Sequence, residues 1–232
     1  MRGEHMGYLE YDLWTEKFPY WAGFVVIIIV VGIIFINRGK KSSSEVETQK
    51  KLNYSIGLFA FMYAITRTFF LFSDIERDAN DVSQLYFFYV YIAYMFSIIA
   101  MITILNIIEN FLIKRTKKML TKFSIAYLFV IIGLLLLSFW NNSILAIGRT
   151  MSTIYFFGTG MVIIILYLYL AAKSIGSIRR NALLSALGMI VLAIGLFLDS
   201  DSLTRAQLIP IQLPPFVALA GVLLMVYGNK QI

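Results

Sequence analysis

The chain has 232 residues, 59% of them apolar and 14% charged, with a formal net charge of +7 and a mean hydropathy of +0.79. Soluble domains usually carry about 25% charged and about 45–50% apolar residues, so this composition excludes an ordinary water-soluble fold. There is no cysteine and a single histidine, His5, which excludes disulfides, thiolate metal sites, cysteine nucleophiles and the usual haem or zinc centres. No metal and no cofactor is expected.

The opening "MRGEHM" reads as an expression remnant over residues 1–5 with Met6 as the natural start, and no cleavable signal peptide is visible. Residues 1–19 are expected to form an interfacial segment. Tyr8, Tyr11, Trp14, Phe18, Tyr20 and Trp21 crowd the approach to the first apolar block, and such rings favour the headgroup level. Gly7–Lys17 is predicted as a short surface helix stopped near Pro19.

Apolar blocks of about 20 residues, the length that spans a bilayer as a helix, then follow one another. They are placed at Tyr20–Ile36, Leu52–Ser73, Gln84–Ile113, Met119–Trp140, Met151–Ala172, Asn181–Leu198 and Leu208–Tyr227. The third is the longest and is expected to tilt or to extend into water. No long linker separates the blocks, so residues 1–232 read as a single domain. The expected fold class is all-α: a polytopic integral membrane protein, a seven-transmembrane-helix bundle.

Orientation follows from the loop cations. Arg38, Lys40, Lys41, Lys50 and Lys51 follow span 1; Lys114, Arg115, Lys117, Lys118 and Lys122 follow span 3; Lys173, Arg179 and Arg180 follow span 5; Lys230 lies near the C-terminus. The opposite side holds only Arg2, Lys17, Arg77, Arg149 and Arg205. The bias alternates at every loop, which predicts the N-terminus outside and the C-terminus cytoplasmic, in a multi-pass protein of the cell membrane. The acids run the other way, with Glu45, Glu47 and Glu109 the inner exceptions. The net charge is therefore an average over two unlike faces, and it points to anionic membrane lipids rather than nucleic acid.

Arg67 is the twentieth basic residue and stands inside span 2, in "AITRTFFLFSD". An arginine in lipid costs about 2.5–3.5 kcal/mol on insertion scales unless it snorkels or pairs. Asp74 lies two turns on, about 10 Å along the same face. In span 6, Ser185, Gly188, Leu192, Gly195 and Asp199 recur three and four apart and share a face. Span 7 has a matching stripe in Pro214, Ala218, Gly221 and Gly228, interrupted by Met225. Small residues let helix backbones approach closely, so spans 6 and 7 are predicted to pack tightly, with Leu192 fitting a gap in its partner. Arg67, Asp74 and Asp199 are the expected polar cluster of the outer leaflet, either clamping helices or contacting a ligand. Tyr86, Tyr89 and Tyr94 of span 3 are expected as belt residues or as the rim of a pocket. Glu109, at the inner end of span 3, is expected in ionic contact with Arg179, Arg180 or Lys173.

Other functions leave marks that are missing. Span 7 has no lysine for retinal, and no phosphate-binding glycine loop is present. The spans hold neither paired aspartates nor a Ser–His pair for intramembrane proteolysis. No chain of buried acids suggests proton pumping. The expected function is non-enzymatic: a sensor- or receptor-like protein, or a ligand-binding module, with an outward-facing polar cluster. It would work through a partner membrane or cytoplasmic protein, since no output domain is visible. The alternative is a small-solute transporter or a structural subunit of a membrane complex.

Overall fold

A computed structural model describes residues 4–41, 47–80, 84–112, 117–138, 143–199 and 209–228. Among these residues the chain is all-helical. The helices are α1 (Glu4–Lys41), α2 (Glu47–Asn80), α3 (Gln84–Ile107), α4 (Met119–Ser138), α5 (Ser143–Lys173), α6 (Gly176–Leu198) and α7 (Leu213–Gly228), and α3 runs on into a π-helical turn at Ile108–Leu112. Six stretches are long and apolar enough to cross a membrane: Lys17–Lys41, Lys50–Glu76, Gln84–Asn110, Met119–Ser138, Ile147–Lys173 and Gly176–Leu198. This is the make-up of a multi-pass membrane protein. α7 is apolar but has only 16 residues, about 24 Å at the helical rise. The expected span ends Ile113, Trp140 and Leu208, and residues 1–3 of the expected remnant, lie outside the described residues.

One boundary differs from the expectation. Pro19 does not stop a separate surface helix, because α1 runs unbroken through it. Proline removes one bond, to the carbonyl four residues back, and disfavours the helix interior without forbidding it. Phe18 and Pro19 are exposed at this point, and the apolar run that follows supplies a long continuous helix. Elsewhere proline sits where the backbone tolerates it. Pro214 and Pro215 occupy the first turn of α7, whose N–H groups would have no intrahelical partner in any case. α5 and α6 are joined by Ser174 and Ile175 alone, and Gly176 takes a left-handed conformation, φ +64°, that glycine adopts without strain.

The chain groups into two compact units. The first comprises Met1–Phe24, Asp74–Val82 and Val162–Ile232; the second comprises Val25–Ser73 and Ser83–Met161. In the first unit α6 and α7 lie against each other along their lengths. A Cβ added to Gly188 would lie 2.6 Å from the Met225 nitrogen, one on Gly195 2.8 Å from the Ala218 Cα, and one on Gly228 2.7 Å from the Asn181 carbonyl oxygen. Rising numbers in α6 meet falling numbers in α7, so the pair is antiparallel. At Gly221 the close neighbour is the Leu192 backbone, whose Cα would lie 2.7 Å from an added Cβ. The tight packing expected from the two small-residue stripes is thus present.

The second unit uses the same device once more. A Cβ on Gly57 of α2 would sit 2.7 Å from Ile36 Cγ1 and 3.1 Å from the Gly32 carbonyl oxygen of α1. Its centre is a cluster of Tyr91, Ile98, Ile131 and Tyr155 from α3, α4 and α5. Tyr91 donates its hydroxyl to the Ile144 carbonyl, 3.1 Å away, and Gly148 leaves room for it, since a Cβ there would collide with that hydroxyl.

Candidate functional site

Arg67 is buried in the second unit, with 6% of its surface exposed. Its guanidinium carbon lies 5.8 Å from the centroid of the Phe70 ring, one turn along α2. A cation over a ring face is attracted by the ring quadrupole, more so when water is excluded. The next residue back, Thr66, donates to the Met62 carbonyl at 2.9 Å and receives the Ser97 hydroxyl from α3 at 3.3 Å. The α2 backbone around the arginine is therefore fastened to α3 by a buried polar contact.

Phe70 connects the arginine to the tyrosines of α3. Its ring meets Tyr94 edge-on at 5.6 Å, and Tyr94 stacks on Phe156 of α5 at 5.5 Å. Tyr86, Val90 and Tyr94 form one buried cluster, against which Phe70, Phe87 and Phe156 pack. Phe70 thus lies beside Arg67 on its own helix and packs against the Tyr86, Val90 and Tyr94 cluster of α3. Tyr89 parts from them. At 3.6 residues per turn it points about 140° away from Tyr94, and its ring meets Phe69 at 6.3 Å and Phe72 at 5.7 Å instead.

The two aspartates belong to the other unit. Asp199 closes the C-terminus of α6, where its N–H bonds back to the Gly195 carbonyl at 3.2 Å. Its carboxylate forms an ion pair with Lys17 Nζ of α1 at 2.6 Å, with both side chains largely buried. In the sequence Lys17 stands in the interfacial segment and among the few outer-side cations. The residues are 182 positions apart, and no local pattern links them. Asp74 is half-buried on α2.

Glu109 is buried in the second unit, with 2% exposure. The π-helical turn carries it to the start of α4. There its carboxylate accepts the backbone N–H groups of Leu120 at 2.9 Å and Thr121 at 2.8 Å, and the Thr121 hydroxyl at 2.6 Å. These are helix-capping contacts, supplied from the preceding helix. Arg179 and Arg180, two of its expected ionic partners, are exposed on α6, in the first unit.

Further hydroxyls of α4 and α5 are buried. Tyr127 and Tyr155 stack in parallel, centroids 4.2 Å apart and planes 4° from each other. Ser124, Ser138 and Ser152 are buried as well. On α4 the signal available was the placing of Ser124 and Tyr127 three apart in an otherwise apolar run. Among the described residues no group of three or more His, Cys, Asp or Glu side chains is placed to hold a metal. No family model, curated protein or solved structure matches the chain.

Proposed function

We propose that the chain is a seven-span protein of the cell membrane that works without catalysing a reaction, as a sensor-like or ligand-binding module. The N-terminus lies outside and the C-terminus lies in the cytoplasm, as the alternation of loop cations requires. α7 serves as the seventh span, its shortness met by local thinning of the bilayer or by its flanking residues. A partner protein in the membrane or cytoplasm carries the signal onward.

One observation carries this reading: a permanently charged guanidinium is buried beside the Phe70 ring within an apolar helix. Such a group is expensive in a membrane and by default marks a functional site. Arg67 offers planar, directed N–H donors that suit a carboxylate or phosphate. Phe70, Tyr86 and Tyr94 supply an apolar and hydroxyl-bearing wall of the kind that encloses small ligands. The proposed ligand is therefore a small anion with an apolar part, entering from the outer side.

Protein reconstituted in nanodiscs tests this. With a panel of aliphatic and aromatic carboxylates, at least one compound raises the melting temperature of the wild type. Arg67→Gln weakens that response by tenfold or more, corresponding to the loss of a charge-assisted contact of about 1.5–3 kcal/mol. If Arg67→Gln leaves both the stability and every response unchanged, the reading fails. Orientation is checked separately, because a chain without cysteine accepts single reporters cleanly. In intact cells, a membrane-impermeant maleimide labels Asn80→Cys and spares Ser174→Cys. The reverse pattern overturns the topology.

A further inference from the structure

The start of α4 has two unlike sides. Thr121 and Ser124 turn inward and are buried, and Glu109 closes on the Leu120 and Thr121 N–H groups from the preceding helix. On the other side Lys117, Lys118 and Lys122 are exposed, and so are Met119, at 70%, and Phe123, at 64%. Lys118 and Lys122 stand one turn apart, joined by the bond from the Lys122 N–H to the Lys118 carbonyl. Met119 and Phe123 repeat that step beside them, so a row of cations runs alongside a row of large apolar side chains. Among the described residues none of the three ammonium groups has an ion-pair partner.

Local preferences all oppose lysine at these positions. The positive end of a helix dipole disfavours cations, and like charges one turn apart repel. Lys117 and Lys118 also hold φ of 48° and 62°, a strained conformation for a residue with a Cβ. The lysines do nothing for the helix in return, because Glu109 already serves its leading N–H groups. Such joint violations of local rules occur at functional places. Negative charge supplied from outside the chain relieves both electrostatic conflicts. The same partner must also receive Met119 and Phe123. A bilayer of anionic phospholipid does both, with phosphates at the level of the ammonium groups and acyl chains beside them. An acidic peptide would meet the charges but leave the two apolar side chains in water.

We propose that Lys117, Lys118, Met119, Lys122 and Phe123 form a docking surface for anionic phospholipid. The lysines meet headgroup phosphates, Met119 and Phe123 enter among the acyl chains, and the start of α4 is held at the bilayer edge. The surface shares no residue with the surroundings of Arg67 and does not depend on a ligand there.

The full chain in nanodiscs of phosphatidylcholine, with and without phosphatidylglycerol, tests the surface. Both leaflets of such a disc carry the same lipid, so the outcome is independent of orientation. The wild type melts at a higher temperature in the anionic discs, and added salt diminishes the rise. Lys118→Gln combined with Lys122→Gln removes most of it. Arg179→Gln combined with Arg180→Gln deletes the same charge from exposed positions on α6 and keeps the rise. No rise in the wild type overturns the proposal, as does a rise that survives in the lysine variant or falls equally in both variants. A soluble acidic peptide that reproduces the rise in phosphatidylcholine discs also overturns it, since the partner is then a protein segment. A second readout leaves every charge in place. A nitroxide on Met119→Cys, in a chain with no other cysteine, is reached by oxygen and shielded from an aqueous nickel reagent in the anionic discs. A label open to the aqueous reagent there places residue 119 in water and overturns the proposal.

Discussion

Replacing Gly221 with alanine lowers the melting temperature of the protein in detergent or nanodiscs further than any other single Gly→Ala change in α4 to α7. The added methyl carbon would overlap the Leu192 nitrogen and lie 2.7 Å from both the Leu192 Cα and the Gly188 carbonyl oxygen. Each of these is a backbone atom, so no side chain can swing away. The two helices must separate, and separation at this point also loosens Gly188 against Met225 and Gly195 against Ala218. Overpacking of a tight interior typically costs about 1–3 kcal/mol and sometimes more, and this site belongs at the upper end. Shortening Leu192 to alanine gives no rescue, because its backbone is the obstacle. Gly133 and Gly158 are the controls, since nothing lies within 4 Å of a Cβ built on either. Alanine there should be neutral, or should add about 0.5–1 kcal/mol by stiffening the helix. A Gly221→Ala variant as stable as Gly133→Ala would show that α6 and α7 do not pack as described.

That contact was legible in the sequence for a simple reason. Close approach in a membrane requires small side chains at helical spacing, and both α6 and α7 carry the pattern within their own sequence. The helices themselves were legible on the same footing, as apolar runs of spanning length. The burial of Arg67 followed from its place inside such a run. What stayed hidden depended on relations between distant segments. Lys17 and Asp199 meet because of how α1 comes to lie by the end of α6, and neither residue announces the other. The three tyrosines of α3 were grouped by their nearness in sequence. The helix separates Tyr89 from Tyr94 because a five-residue step turns a side chain by about 140°. Pro19 does not end the first helix. A proline weakens a helix by one bond and a local clash, and the long helix around it outweighs that.

The role of Glu109 was hidden most completely, and its replacement gives the second large effect. α4 begins after Lys117 and Lys118, both in the left-handed region with φ of 48° and 62°. For residues other than glycine that conformation costs roughly 1–2 kcal/mol each. Lys118 also stands where a helix usually carries Ser, Thr, Asp or Asn to cap its first N–H groups, and lysine has no acceptor to offer. Glu109 takes over that task from the preceding helix. Its negative charge at the positive end of α4 is favoured by the helix dipole. Glu109→Ala leaves two backbone N–H groups and the Thr121 hydroxyl without this acceptor, in a buried place. Hydrogen bonds to a charged group contribute about 1.5–3 kcal/mol each, and orphaned donors add their own penalty. The expected loss is therefore at least about 3 kcal/mol, with fraying confined at first to the start of α4. Trypsin should then cut after the exposed Lys117 and Lys118 markedly faster than in the wild type. Glu109→Gln, which keeps one acceptor oxygen, should fall between the two. Lys118→Gly should shift stability the other way, by up to about 1 kcal/mol, since glycine adopts the left-handed conformation without strain. Unchanged cleavage and an unchanged melting temperature in Glu109→Ala would show that α4 does not depend on this carboxylate for its start.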